Sequence, residues 1–527
     1  MFRRCVLSLC SSVGICIQPQ PALAQPSVTP RALIEQAAGA VGRLESIPPE
    51  FVLEWTAKGV LNQSAEHQGR HPATNEFTPF TEAGMLDPER RTVSIEYHEQ
   101  RLDGSWEHAR ETATYPDRWG ITGVGEHWSV HFESPRFEAE KWRRMVRRFP
   151  VALMSELIEQ APAFSVVTEA PGSVHLRGVL STGETATVEI STTGAHLLSI
   201  RYQTDIPTLG LVGVVWRFSD YRPLRPDIQF PFRYEVEVDG RPYIRMESEQ
   251  ASLVRREESR LVADASRQPL GEPRAAPANF FDPSRSARVS TERPGVFLLT
   301  SLRTGFHVLF IELQDRVIAI DAPAGYPLLR EIPAGDAAPG VDPGALTRRY
   351  IQLIRETVPD KPIGAVILTH FHSDHAGGLR EFVAAGAEVI ASVRARESVE
   401  RLINGPTAAG DELSTHPRPL RFRGVEDRLT IDDPVNPIEV LAMPGNPHSE
   451  DLLAVHLPSC NAVYAADLIY PTPDAAEFPS PAHSVTARYF LSWLESMRID
   501  PEIVYSSHGS PRAGREHIAS LRRLRVP

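Results

Sequence analysis

The stretch Thr369-His370-Phe371-His372-Ser373-Asp374-His375-Ala376-Gly377-Gly378 holds three histidines and an aspartate within six residues. It follows the continuous apolar run 365–368, which predicts a strand buried on both faces, as in an α/β layered sheet. In an extended chain His370 and His372 project to the same side, and a turn into a helix would swing Asp374 and His375 toward a second point. Imidazole and carboxylate groups suit a borderline divalent metal such as zinc. So many possible ligands in so short a stretch favour two adjacent metals over one.

Three further candidate ligands follow apolar segments later in the chain. His448 stands on a loop after the predicted strand 438–442, Asp467 ends the apolar run 462–466, and His508 follows the run 503–505. Ligands on loops at strand ends are where α/β folds build sites. A lone aspartate at a strand end is more often a helix cap, so the interpretation depends on the whole set.

Taken in this order, the histidines and aspartates resemble the metallo-β-lactamase superfamily of hydrolases, over roughly residues 295–527. The resemblance implies a four-layer αβ/βα sandwich with two zinc ions. It assigns the first ion to His370, His372 and His448, the second to Asp374, His375 and His508, and a bridging role to Asp467. Asp321, at the end of the apolar strand 317–320, matches the superfamily's structural aspartate, although Ala322-Pro323 stands where a glycine is usual.

Two details of the pattern restrict the reaction that the resemblance implies. Flavodiiron oxidoreductases of this fold have glutamate in place of His372, and true β-lactamases lack the bridging carboxylate that Asp467 supplies. The pattern is closer to the glyoxalase II, lactonase and phosphodiesterase relatives. We therefore expect a metal-bound hydroxide to attack an ester, thioester, lactone, phosphoester or amide. Asp374 would be catalytic, orienting the nucleophile or relaying a proton.

Two other functions stay open. Persulfide dioxygenases carry a similar histidine and aspartate set with a single iron, so a mononuclear-iron thiol or persulfide dioxygenase is one alternative. A non-enzymatic carrier of a hydrophobic ligand with a structural metal site is the other. Structural zinc sites are usually closed by four protein ligands, whereas seven candidates around two metals leave open positions. Zinc is the expected metal, with iron or manganese as substitutes.

Composition describes an ordinary globular protein of two to four domains. The chain has 527 residues, of which 42% are hydrophobic and 23% charged, and its net charge is −12. The basic residues form no long runs, whereas a nucleic-acid binder usually shows a basic footprint. We therefore expect a small-molecule substrate and no nucleic-acid partner.

The first 24 residues are typical of a secretory signal peptide. Arg3 and Arg4 precede the apolar stretch 5–17, and Ala22-Leu23-Ala24 forms an A-x-A cleavage site. The sequence therefore predicts a periplasmic or secreted protein with no transmembrane segment in the mature chain. The cysteines at positions 5, 10 and 16 would leave with the signal, so Cys460 alone would remain and no internal disulfide is possible.

The pattern of predicted strands, helices and prolines divides the rest of the chain into two domains and a linker. Residues 25–262 predict a mostly antiparallel β domain with helices near 30–44 and 138–160, the second broken at Pro150, and a hairpin turn at Asp239-Gly240. This order of elements weakly resembles the LolA-like lipoprotein-carrier fold. The proline-rich segment 263–294 predicts a linker, and strands alternating with helices over 295–527 predict the hydrolase domain. The expected class is thus α+β followed by α/β.

Two loops are candidates for substrate selection, namely residues 404–421 and 470–484. Both are rich in polar residues and proline, and the second follows Asp467 directly. His416 and His483, which lie in these loops, are interpreted as solvent-exposed rather than as ligands. Cys460 is interpreted as incidental.

Overall fold

The computed structural model describes residues 29–63, 74–100, 104, 106–115, 118–123, 129–133, 142, 145–206, 208–262, 287–303, 306–323, 344–407, 411–479 and 484–523. The predicted signal peptide, most of the predicted linker and His483 lie outside these residues. None of the helices within the described ranges combines the length and the apolar character needed to cross a lipid bilayer.

The N-terminal half is built on one antiparallel sheet of thirteen strands. The strands are β1 Phe51–Asn62, β2 Phe77–Asp87, β3 Thr92–Gln100, β4 Trp106–Thr114, β5 Arg118–Gly123, β6 Ser129–Glu133, β7 Ser165–Ala170, β8 Ser173–Val179, β9 Thr185–Ser191, β10 Leu197–Ile206, β11 Gly210–Arg225, β12 Ile228–Val238 and β13 Arg241–Arg255. Their spatial order is β6-β5-β4-β3-β2-β1-β13-β12-β11-β10-β9-β8-β7. Two meanders are therefore joined where the first strand pairs with the last.

Two helices, α1 (Pro30–Val41) and α2 (Pro150–Gln160), pack on each other and on β12. The Oγ1 of Thr29 caps α1 by accepting a hydrogen bond from the backbone N of Ala32 at 3.2 Å. The helix ends before the predicted residue 44, because Gly42 adopts a φ of +95°. Trp142, Met145 and Val146 are helical, residues 147–149 leave the helix, and α2 begins at Pro150, so the predicted break at Pro150 is confirmed.

The C-terminal half begins inside the segment predicted as linker. Strand β14 (Arg288–Arg293) pairs with β15 (Val296–Arg303) across a Pro294-Gly295 turn, in which Gly295 has a φ of +76°. The linker prediction was therefore too long at its C-terminal end. The prolines predicted a loop over the whole segment, but Pro294 lies in the turn of a hairpin.

The remaining strands are β16 Phe306–Glu312, β17 Val317–Ile320, β18 Ile363–Ile367, β19 Glu388–Ser392, β20 Phe422–Val425, β21 Arg428–Ile431, β22 Ile438–Ala442, β23 Leu453–Leu457, β24 Ala462–Tyr464, β25 Ile503–Tyr505 and β26 Arg512–Ala513. The α-helices are α3 Ala345–Thr357, α4 Ser373–Ala376, α5 Leu379–Ala384, α6 Arg396–Asn404, α7 Glu412–Thr415, α8 Ser484–Met497 and α9 Arg515–Arg523. Single 3₁₀ turns among the described residues are Leu44–Ser46, Ala161–Ala163, Arg256–Glu258, Val393–Ala395, Pro458–Cys460, Ala466–Leu468 and Ala475–Glu477.

These elements form two sheets packed face to face. One sheet has the order β14-β15-β16-β17-β18-β19-β20, and the other runs from β21 to β26 in sequence order. A shared apolar core lies between the sheets and continues to α8 and α9, while a second core joins the outer face of the first sheet to α3, α5 and α6. The layers are thus helix, sheet, sheet and helix, which confirms the predicted αβ/βα sandwich. The thirteen-stranded antiparallel sheet confirms the mostly antiparallel β-structure predicted before it.

The two halves meet at the C-terminal end of α6. The backbone N of Leu211 donates a hydrogen bond to the carbonyl of Pro406 at 2.8 Å, and Arg401 pairs with Asp239 at the tip of the β12–β13 hairpin. Gly210 is required at this contact, because a Cβ there would lie 2.4 Å from the carbonyl oxygen of Pro406. The first residues of the loop predicted to select substrate therefore contact the N-terminal sheet.

Candidate metal centre

The first four candidate ligands come from the end of β18 and the single helical turn that follows it. Ile367 ends a strand that pairs on both sides with parallel neighbours, and the chain then enters the buried loop 368–372. His372 precedes α4, whose one turn carries Asp374 and His375. The chain packs tightly behind this turn, since a Cβ on Gly378 would lie 1.8 Å from the Oγ1 of Thr347. A short buried turn therefore holds these candidate ligands between two layers of the fold.

The structure brings His370, His372 and His448 together in one cluster. The Nε2 atoms of His370 and His448 are 3.1 Å apart, and the ring centroids of His372 and His448 are 4.6 Å apart. His448 reaches the cluster from the loop after β22, whose shape is fixed by the Asn446 side chain. The Asn446 Oδ1 accepts hydrogen bonds from the backbone N of His448 and of Ser449 at 2.9 and 2.8 Å.

Asp374, His375, Asp467 and His508 form a second cluster. The Nε2 of His508 lies 3.1 Å from the Oδ2 of Asp374, and the Nε2 of His375 lies 3.1 Å from the Oδ1 of Asp467. The Oδ2 of Asp467 is 3.4 Å from the Nε2 of His508 and 3.6 Å from the Nε2 of His448. Asp467 therefore lies between the two clusters.

Asp321 forms hydrogen bonds that orient residues of both clusters. Its Oδ1 accepts hydrogen bonds from the backbone N and the hydroxyl of Thr369, each at 2.8 Å, and its Oδ2 lies 2.8 Å from the Nδ1 of His375. Because the Thr369 hydroxyl donates to Asp321, its oxygen is left to accept from the Nδ1 of His370 at 3.1 Å. Both histidines thus carry a proton on Nδ1 and direct Nε2 into the site, which is the arrangement of metal-binding histidines.

The pattern of pKa shifts differs between the clusters. Burial, together with the neighbouring histidines, lowers the pKa of His370 and lowers that of His448 to about 3. Burial acts the same way on His508, but Asp467 and Asp374 outweigh it and raise its pKa to about 9. For the carboxyl groups of Asp374 and Asp467, burial acts to raise the pKa. The adjacent His375 and His508 outweigh burial, so the pKa of each carboxyl group is lowered.

The donor set fits divalent cations. The Nε2 of His375 and the Oδ1 of Asp467 are buried and lie 3.1 Å apart, but they do not form a well-oriented hydrogen bond, and no other described residue donates to or accepts from either atom. Buried polar groups of this kind are costly unless something else satisfies them. Imidazole nitrogens with carboxylate oxygens are ligands that zinc and similar ions accept. The two clusters therefore support divalent metal binding.

Two aromatic residues against the second cluster were missed as contacts by the sequence analysis. Tyr470 stacks on the ring of His508 with centroids 5.5 Å apart, and its hydroxyl donates to the Oδ2 of Asp467 at 3.3 Å. Phe306 packs edge-on against His375 and His508. Tyr470 begins the second predicted substrate loop, but nothing in the local sequence indicated Phe306.

The other residues that the sequence singled out lie away from the ligands. His416 is exposed, as interpreted, and pairs with Glu412 one helical turn earlier. Cys460 is a buried free cysteine. Among the described residues of the first predicted substrate loop, Asp411 pairs with Arg380 and caps α7.

The chain is similar to a protein family and to several solved structures. Residues 336–508 match the family model described as the metallo-beta-lactamase superfamily. The chain is also similar to the solved metallo-beta-lactamase from Pontibacter korlensis, with 18% identity, a TM-score of 0.34, and coverage of 46% of this chain and 100% of that one. For a metallo-beta-lactamase from Hirschia baltica the identity is 21%, the TM-score 0.31, and the coverage 46% and 98%.

The matched segment contains all seven clustered residues, from His370 to His508. The C-terminal part of the chain is therefore a metallo-β-lactamase superfamily domain.

Proposed function

We propose that the protein is an exported hydrolase that holds two divalent ions, expected to be zinc, and cleaves an ester, thioester, lactone, phosphoester or amide. The observation that carries this proposal is the position of Asp467 between two adjacent clusters. A carboxylate with one oxygen near His375 and the other near His448 and His508 is placed to contact two ions at once.

Two bound ions would lower the pKa of a shared water and act as Lewis acids toward the substrate oxygen. The protein's own groups would do the rest. Asp374 lies 3.1 Å from His508, where its carboxylate can accept a proton from an attacking water and hold it beside the imidazole. Tyr470 and Phe306 line the same side and would limit access of bulk water.

The metal assignment follows the clusters. His370, His372 and His448 would hold one ion, and Asp374, His375 and His508 the second, with Asp467 shared. The Asp321 hydrogen bonds would keep the Nε2 atoms of His370 and His375 available. A mononuclear-iron dioxygenase would need only part of this set, so the metal count separates the two functions.

The proposed location is the periplasm or the outside of the cell, based on the signal-like pattern of residues 1–24. Export would place the metal centre in a compartment where a small diffusible substrate can reach it. Sequencing the N-terminus of the protein recovered from its own host would test this part alone, since an unprocessed N-terminus would contradict it.

The test of the proposed function compares His448→Ala with His456→Ala. His456 lies on the neighbouring strand β23 and pairs with Glu439 at 2.7 Å, outside both clusters. We expect the zinc-loaded wild type and His456→Ala to bind about two ions in the clusters and to hydrolyse a member of a chromogenic ester, thioester, lactone, phosphodiester and β-lactam panel. His448→Ala should lose one ion and most of the turnover. Full activity and metal content in His448→Ala, or a wild type with one iron and no hydrolysis, would contradict the proposal.

A further inference from the structure

A third group of metal-ligating side chains lies in the N-terminal half, on the sheet face opposite its core. Along β3 the residues Val93, Ile95 and Tyr97 belong to the hydrophobic core, so the alternate residues Glu96 and His98 face the other way. On β4, His108 lies directly opposite His98, and Arg110 lies opposite Glu96. These four residues form a two-by-two set of cross-strand pairs, here named the β3–β4 array.

The side chains of the array lie close enough to share a ligand. The rings of His98 and His108 stack with centroids 3.7 Å apart, and the Nε2 of His108 lies 2.7 Å from the Oε1 of Glu96. One ligand atom from each of Glu96, His98 and His108 lies within 4.8 Å of the other two. Since a zinc–nitrogen bond is about 2.1 Å, two ligands on one ion are at most about 4.2 Å apart, so small side-chain rotations would close the site.

The surroundings leave the array accessible. The residues of β2 that pair with Glu96 and His98 are Ala83 and Thr81, whose side chains are short. His98 is exposed, and Glu96 and His108 are half-buried.

We propose that Glu96, His98 and His108 form a separate site for a borderline divalent ion such as Zn²⁺, Cu²⁺ or Ni²⁺. Two imidazoles and a carboxylate are a suitable donor set for such ions, and a cross-strand ion would fasten β3 to β4. Arg110 is the competitor, because its guanidinium donates two hydrogen bonds to the Oε2 of Glu96. Metal binding would draw one oxygen of Glu96 toward the ion and weaken this pair.

The experiment uses the full chain with its C-terminal clusters already saturated with Zn²⁺. Equilibrium dialysis against additional Zn²⁺, followed by elemental analysis, would count the ions bound, and Cu²⁺ absorption and paramagnetic resonance would report nitrogen ligands. We expect His98→Ala and His108→Ala to bind one ion fewer than the wild type. Arg110→Gln should bind the extra ion several-fold more tightly, because it frees Glu96.

The matched control is His175→Ala. His175 lies on β8 of the same sheet with a cross-strand Glu189 but belongs to no such three-residue group among the described residues. Loss of the extra ion in this control, or equal metal content in the wild type and the two array variants, would overturn the proposal. Circular dichroism of each variant would confirm that the sheet is intact. The result does not depend on the proposed hydrolase function, because the array shares no residue with the C-terminal clusters.

Discussion

The cluster of His370, His372 and His448 and the cluster that contains Asp374, His375, Asp467 and His508 lie side by side, but their histidines differ in proton affinity. In the first cluster burial and mutual repulsion lower the pKa of His370 and His448. In the second, carboxylates overcome burial and raise the pKa of His375 and His508. The same side chain is thus made neutral in one place and cationic a few ångströms away by the charge beside it.

The largest expected effect comes from Asp467→Asn, because this residue contacts both clusters. The substitution keeps the size of the side chain but removes the charge that offsets repulsion between two cations. We expect the second ion to bind weakly and turnover to fall by at least about a hundredfold, since loss of even an outer partner costs about 10–100-fold. Metal titration would show one tight and one weak site. Two tight ions with full turnover would mean that Asp467 is not shared.

A change of pH is expected to have a smaller effect, and it should alter the metal affinity of one cluster more than that of the other. His508 must lose a proton to bind an ion, and its pKa of about 9 in the metal-free protein means that protons compete below that pH. His448, with a pKa of about 3, is already neutral across the same range. We therefore expect the affinity of the second cluster to rise as pH increases from about 6 to 9, while the first changes little.

Calorimetry in buffers of different ionisation enthalpy would measure the protons released by each ion at pH 7. Release confined to the second binding event would match the expectation. Equal release from both events would show that the two clusters have similar proton affinities.

The smallest expected effect is that of Tyr470→Phe. The ring that stacks on His508 remains, and only the hydroxyl that donates to Asp467 at 3.3 Å is lost. A typical hydrogen bond contributes about 1 kcal/mol, and this one is long, so we expect a drop in kcat of no more than roughly fivefold, with both ions still bound. An unchanged kcat would leave Tyr470 with a packing role alone.

Much of the site could be predicted from the sequence because its ligands follow short apolar strands. The runs that predicted β22 and β25 have the observed bounds, and β18 and β24 differ only at their ends. Each candidate ligand therefore had a local signal, namely a polar residue where a buried strand stops. The resemblance to a known family assigned His370, His448 and His508 to two ions; the structure groups these residues in two clusters, and metal binding by them stays a prediction.

The features that escaped prediction depend on contacts between distant segments. The single thirteen-stranded sheet exists because β1 pairs with β13, nearly two hundred residues later, and no local pattern encodes that pairing. Phe306 contacts the ligands only because β16 lies beside the His508 loop. The opposite pKa shifts of His448 and His508 likewise arise from which carboxylates the fold brings near each ring.

Asp321 has a consequence for the energetics of the two ions. This buried residue adopts a φ of +58°, and its carboxylate holds the Nδ1 proton of His375 directly and that of His370 through Thr369. A change in either imidazole is therefore transmitted to the other through a group that neither ion touches. If two ions bind as proposed, such a shared support would couple the two binding equilibria, and by thermodynamic reciprocity each ion would then change the affinity of the other by the same factor.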